Sequence, residues 1–63
     1  MILLDGVAYD LVVQQDWGDW LLADSGGTIY ARFSTRERAG AALTAMEARL
    51  LARGGIAWLG ERL

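Results

Sequence analysis

The fold is decided by residues 28–55, which read TIYARFSTRERAGAALTAMEARLLARGG. The first six, Thr28 to Phe33, are rich in β-branched and aromatic side chains, which is typical of a strand. The following residues are mostly alanine, leucine and arginine, which favour helix, as far as the pair Gly54-Gly55. Glycine adopts the left-handed conformation that commonly ends a helix. The stretch therefore predicts a strand that runs directly into one long helix.

The start of this helix carries a capping signal. Ser34 is followed three residues later by Glu37, the spacing of a capping box in which each side chain bonds a free backbone N–H at the helix start. We therefore expect a helix over residues 35–53. Apolar residues recur in it at helical spacing and predict one stripe that faces the core: Ala39, Ala42, Leu43, Met46 and Leu50.

Residues 1–33 predict antiparallel strands joined by short turns. Asp5-Gly6 is a strong two-residue turn signal between a strand at Ile2–Leu4 and a return strand over residues 7–14. Trp20 to Asp24 and Thr28 to Phe33 continue the series, since glycine and aspartate punctuate the segments between them. The expected core face of the sheet consists of Val7, Tyr9, Leu11, Ile29 and Phe33.

The chain as a whole predicts an α+β fold, a single compact domain over residues 1–63. We expect a three- to four-stranded antiparallel meander with one long helix packed on one face. An apolar C-terminal tail follows, in which Ile56, Trp58 and Leu59 return to the body as an edge strand or an irregular lid, or form a second short helix.

Composition argues against an enzyme. The chain has no His, Cys or Lys, so the usual general base and the thiol and amine nucleophiles are missing. We predict no catalytic residues, no cofactor and no metal site, because turn aspartates such as Asp16, Asp19 and Asp24 more often cap backbone groups than bind cations. The longest apolar runs fall far short of a membrane span, and no signal peptide is evident at the N-terminus.

Charge is unevenly distributed and predicts the binding surface. Residues 1–31 contain five aspartates and no basic residue, whereas residues 32–63 contain six arginines and three glutamates. Such asymmetry favours an electrostatic partner. If the turn aspartates cluster at one end of the sheet, they form a negative patch beside an exposed tryptophan, which is a common interface anchor. The predicted partner-binding residues are Asp10, Asp16, Asp19, Asp24 and Trp17.

Two resemblances suggest different functions. The junction Phe33-Ser-Thr-x-x-x-Ala39, in a sheet backed by one helix, is similar to the plant AP2 domain and the arm-binding domains of phage integrases, which implies a sheet laid in the DNA major groove. Here, however, Arg32 lies among aspartates where those sheets present several basic or tryptophan side chains. Phosphate contacts dominate DNA affinity, so direct nucleic-acid binding is the alternative and not the main prediction.

The main prediction follows from size, acidity and the aspartate series from Asp5 to Asp24. In these respects the chain resembles the small phage-encoded anti-CRISPR inhibitors, several of which present carboxylates where a nuclease complex expects phosphates. The resemblance implies a monomeric inhibitor in the cytoplasm of a bacterial host, with a protein partner that has a basic surface. Two other interfaces stay open. One is the apolar outer sheet face, with Ala8, Val12, Leu21, Ala23 and Tyr30, and the other is a helix ridge made of Ala41, Ala45, Ala48 and Ala52.

Overall fold

A computed structural model describes residues 1–57 and places six strands and one helix there. In chain order they are β1 (Ile2–Leu4), β2 (Val7–Tyr9), β3 (Leu11–Asp16), β4 (Asp19–Asp24), β5 (Ile29–Phe33), α1 (Arg36–Ala52) and β6 (Ile56–Ala57). All strand pairs are antiparallel. The predicted α+β class with one long helix is confirmed.

The strands form two sheets instead of one meander. One sheet has the order β2-β1-β6 and the other β3-β4-β5. The predicted continuous return strand over residues 7–14 is wrong, because it is interrupted at Asp10. The carbonyl of Asp10 accepts a hydrogen bond from the backbone N–H of Ser25, at 3.0 Å. This bond continues the β3–β4 register by one residue beyond the pair Leu11 and Asp24, whereas the β1–β2 pairing ends at Tyr9, so the chain passes from one sheet to the other at Asp10.

The first turn forms as its sequence predicts. Asp5 and Gly6 have φ angles of 52° and 77°, and Leu4 pairs directly with Val7 across them. Two successive left-handed residues make the turn whose twist matches that of a hairpin, and Asp-Gly is among the residue pairs that favour it.

Burial follows the position of each strand within its sheet. In the central strand β4, Leu21, Leu22 and Ala23 are all buried, although they are consecutive. In the edge strands β2 and β5, Val7 and Ile29 are 50% and 57% exposed. The prediction that these two residues lie in the core is therefore wrong, whereas the other three of the predicted face, Tyr9, Leu11 and Phe33, are partly buried.

The helix packs against the sheets through part of its predicted stripe. Ala39 and Leu50 are buried, while the other three members are partly buried. Leu50 forms a cluster with Ile2 and Leu4 of β1. Partly buried apolar side chains surround this cluster: Tyr9, Leu11 and Met46. The four alanines of the helix ridge are exposed.

The helix is capped by Thr35 and not by Ser34. Thr35 has extended backbone angles, and its Oγ1 accepts a hydrogen bond from the N–H of Arg38 at 3.2 Å. The expected capping box is therefore wrong by one residue, since position N3 is Arg38 and carries no carboxylate. Glu37 instead lies in the first helical turn, where a negative charge interacts favourably with the helix dipole.

Replacing Thr35 by alanine should lower the free energy of unfolding by about 1 kcal/mol, because it removes the side-chain acceptor of the cap. The matched control is Ser34→Ala, at a neighbouring exposed hydroxyl residue that does not cap the helix. Urea denaturation of both variants measures the difference. A larger loss for Ser34→Ala than for Thr35→Ala would contradict the cap assignment.

The helix ends in a Schellman motif. The N–H of Gly55 bonds to the carbonyl of Leu50 at 2.9 Å, and the N–H of Gly54 bonds to that of Leu51 at 3.1 Å. Gly54 has φ = 103°, so the predicted left-handed stop is confirmed. A Cβ on Gly55 would lie 2.7 Å from the Leu50 carbonyl oxygen.

In the part of the chain described, no helix has both the length and the apolar character needed to cross a membrane.

After this stop the chain returns to the first sheet. β6 pairs with β1, and Leu3 lies opposite Ile56. This is the edge-strand form of the predicted tail, although the Ile56 side chain is 68% exposed. Trp58 and Leu59, which were also predicted to return, lie outside the described residues.

Candidate functional site

The tip of the β3–β4 hairpin holds three of the five predicted partner-binding residues. Asp16 and Asp19 are direct cross-strand partners, and Trp17 and Gly18 form the two-residue loop between them. We refer to residues 16–19 as the hairpin tip. Directly paired side chains project from the same face of a hairpin, so the two carboxylates lie side by side at the base of the loop.

Arg32 of β5 binds both of these carboxylates. Its Nη1 donates to Asp16 Oδ2 and to Asp19 Oδ2, each at 3.1 Å. The hydrogen bonds from Arg32 to Asp19 and then to Asp16 raise the pKa of the guanidinium further above its ordinary value. All three side chains are substantially exposed, at 53% for Arg32 and 38% and 44% for the aspartates. Exposed ion pairs contribute little to stability because water and salt screen them, so the main effect of these two is on local charge and geometry.

Trp17 is 92% exposed, more than any other large apolar residue described. It also has a left-handed backbone, with φ = 58°, whereas Gly18 beside it is not among the positive-φ glycines. A residue with a Cβ costs roughly 1–2 kcal/mol in this region. The loop thus places its bulkiest side chain at the position that a glycine would occupy with least strain. Local strain of this kind is concentrated at functional sites.

The other two predicted residues, Asp10 and Asp24, lie at the far end of the same sheet. Asp24 is the last residue of β4 and pairs with Leu11, so the expected cluster of Asp24 with Asp16 and Asp19 is wrong. The reason is the length of β4, because Asp19 and Asp24 are its first and last residues. The acidic residues therefore form two groups instead of one patch.

Asp24 has a local structural role. Its Oδ1 accepts from the backbone N–H groups of Gly26 and Thr28, at 2.9 and 3.3 Å, and its Oδ2 accepts from Tyr30 Oη at 2.9 Å. The Tyr30 hydrogen bond is the main cause that lowers the pKa of Asp24, and it outweighs the opposing effect of desolvation. The pKa of Tyr30 is raised, first by desolvation and then by this hydrogen bond. These contacts commit Asp24 to the β4–β5 turn.

Trp17 in the hairpin tip and Trp20 next to it have different environments. Trp20 is partly buried, and the guanidinium of Arg36 lies 5.8 Å from its ring centre. This distance allows a cation–π contact between the first helical residue and β4. Trp20 thus helps to join the helix to the sheet, whereas Trp17 projects into solvent.

Sequence reasoning missed the role of Arg32. The signal was present, because two aspartates that flank a two-residue loop must pair across the hairpin and need a cation nearby. The sequence did not indicate that β3 extends as far as Asp16. The expected turn began at Gln15, which moves Asp16 out of the strand and hides the pairing.

The two other predicted interfaces differ in accessibility: the four alanines of the helix ridge are exposed, whereas the outer sheet face is covered along β4. Leu21 and Ala23, assigned to an apolar outer sheet face, are 5% and 1% exposed.

Residues 1–57 enclose no pocket and contain no group of three or more potential metal ligands. Comparison of the chain with protein-family models, curated proteins and solved structures finds no match.

Proposed function

We propose that this protein is a non-enzymatic, monomeric binding module in the cytoplasm of a bacterial host, a phage-encoded inhibitor of the anti-CRISPR type. It presents an acidic, DNA-mimicking surface to the basic nucleic-acid-binding site of a partner such as a CRISPR effector complex. The observation that carries the proposal is the hairpin tip, where an exposed and strained Trp17 stands between Asp16 and Asp19.

The tryptophan supplies binding energy that is independent of charge. Tryptophan is frequent among the residues that carry most of the binding energy of protein interfaces, and such residues are desolvated when the partner binds. An indole that is 92% exposed has nearly all of its surface available for this. Because the left-handed backbone of Trp17 costs free energy in the unbound protein, a gain on binding explains why tryptophan occupies the position.

The carboxylates supply orientation and attraction to a basic surface. Arg32 takes one oxygen of Asp16 and one of Asp19; their Oδ1 atoms accept no hydrogen bond among the described residues. A second acidic group, Asp10 and Asp24, lies at the other end of β4, at a distance of about 16 Å for five residues of strand. Asp19 and Asp24 are five residues apart in β4 and therefore project from opposite faces of the sheet, so the hairpin tip is the negative group that contacts the basic groove.

The test is an inhibition assay on purified, guide-loaded CRISPR effector complexes. Target-duplex binding is measured by gel shift with and without the protein, and inhibition should be relieved by excess DNA. The double variant Asp16→Asn, Asp19→Asn, which leaves the turn held by Asp24 intact, should inhibit less, mainly through a slower association rate and most clearly at low salt. If no complex of a panel that covers the known effector types is inhibited, or if the double variant inhibits as well as the parent at low salt, the acidic-mimic proposal is wrong.

The alternative, a sheet that binds DNA directly, has less support. Its one basic side chain in β5, Arg32, is already bonded to two carboxylates, and a cation held in this way has little net charge to offer a phosphate. A gel shift of the protein with duplex DNA at low salt tests it without any partner. A stable complex there would favour the alternative.

A further inference from the structure

We infer that Arg32 is a positioning residue that holds the hairpin tip in the strained conformation by which Trp17 projects into solvent. The importance of this role for binding depends on the function proposed above. The role itself is a property of the free protein, and it is tested on the free protein.

The inference begins with the pairing of the two aspartates. Asp16 and Asp19 lie directly opposite one another in the ladder, and like charges in such a pair are destabilising. They also close the loop, so their repulsion acts at the point where the two strands must stay together. The single Nη1 of Arg32 lies 3.1 Å from one oxygen of each. It therefore draws both carboxylates toward one cation and removes the repulsion.

The second step concerns the backbone of Trp17. Its φ of 58° is strained, and a strained residue keeps such an angle only where the surrounding structure imposes it. Trp17 is 92% exposed, so packing of its own side chain does not impose the angle. A two-residue hairpin loop requires a positive φ at its first residue, so the pairing of Asp16 with Asp19 in the β3–β4 ladder imposes the angle, and Arg32 supports this last pair from the next strand, β5.

The inference separates two ways in which a partner recognises the tip. Removing the positive charge of Arg32 makes the surface more acidic, and a partner that responds to charge alone would then bind more tightly. A partner that requires a correctly placed Trp17 would bind more weakly. Arg32→Gln therefore distinguishes the two cases by the sign of its effect.

The test compares four proteins by NMR at low ionic strength: the parent, Arg32→Gln, Arg32→Lys, and a triple variant with Arg32→Gln, Asp16→Asn and Asp19→Asn. The readouts are the amide exchange rates of Asp16 and Asp19, which pair across the loop, and the φ-dependent coupling constant of Trp17. In Arg32→Gln the exchange at the tip should become about five-fold faster, the change expected from loss of an exposed charge interaction, and the coupling constant should leave its left-handed value. The amide of Thr28, in the turn held by Asp24, is the internal control and should not change.

The other two variants separate charge from packing. Arg32→Lys should behave like the parent, because one ammonium nitrogen can donate to both carboxylates. The triple variant should also recover slow exchange, because it removes the repulsion together with the cation. The inference is overturned if Arg32→Gln leaves the tip unchanged, or if Arg32→Lys and the triple variant both stay loose. Should Arg32→Gln not fold, these last two variants still decide the question.

Binding is measured separately, in the inhibition assay. If the tip loosens in Arg32→Gln and inhibition is unchanged, the positioning role holds and the tip is not the interface. If the tip stays rigid and inhibition changes, the interface is supported and the positioning role is wrong.

Discussion

Replacing Leu50 by alanine should lower the free energy of unfolding by about 2–5 kcal/mol, the range for deleting most of a buried leucine side chain. Leu50 is 5% exposed and forms a buried cluster with Ile2 and Leu4. At roughly 0.05–0.15 kcal/mol per residue, a chain of 63 residues has a total stability of about 3–9 kcal/mol. The substitution therefore removes a large part of the stability and lowers the midpoint of urea unfolding.

The measurement is urea denaturation followed by far-UV circular dichroism. The matched control is Leu51→Ala, because Leu51 is the next residue of the same helix but is 43% exposed. Its loss should be well below that of Leu50→Ala, since less of its surface leaves water on folding. Equal losses for the two variants would show that the helix does not pack through Leu50.

Local signals in the sequence predicted local structure well. The Asp5-Gly6 turn, the helix and its stop at Gly54 all depend on residues close in the chain, whose conformational preferences act whatever surrounds them. The N-cap of the helix shows where such local signals become ambiguous. Ser34 and Thr35 are adjacent and chemically similar, and the Glu37 that favoured Ser34 lies instead in the first turn. Neighbouring candidates of this kind are separated by backbone angles that the sequence does not encode simply.

The errors concern which strand lies in the middle of a sheet. The alternation in Val7–Tyr9 identifies a buried face only if a strand pairs along each edge of this segment. β2 pairs along one edge only, because it is the outer strand of its sheet. The same holds for Ile29 in β5. Conversely, all three of Leu21, Leu22 and Ala23 are buried because β4 is central. Strand order is a long-range property, and the pattern of one strand does not determine it.

The candidate site was predicted in composition but not in arrangement. Trp17 and its flanking aspartates were identified from residue type, since exposed aromatic residues beside charges are common in interfaces. The separation of Asp24 from them, and its hydrogen bonds to the turn and to Tyr30, depend on strand length and register. The left-handed backbone of Trp17 carries no signal in the residue type, because tryptophan disfavours it.

That strain leads to a prediction in which stability and binding change differently. Trp17→Ala and Trp17→Gly both remove the indole, but only glycine adopts the left-handed conformation without steric cost. The glycine variant should therefore be more stable than the alanine variant by about 1 kcal/mol, after allowance for the greater freedom of glycine in the unfolded chain. Urea denaturation measures this difference without any partner. Equal stabilities would show that Trp17 carries no strain.

Both variants should lose binding to the same extent. Truncation of an interface tryptophan commonly costs 2 kcal/mol or more, which corresponds to an affinity about 30-fold weaker. The assay is inhibition of the effector complex, and the control is Val7→Ala, which removes an apolar side chain that is 50% exposed but lies in the other sheet. If Trp17 serves only the folding of the hairpin, Trp17→Gly should inhibit the effector complex as well as the parent does and should be at least as stable. If Trp17 is retained for binding, Trp17→Gly should fold as well as the parent but should not inhibit. The left-handed tryptophan then destabilises the free protein, and only the contacts made in the bound state offset this cost.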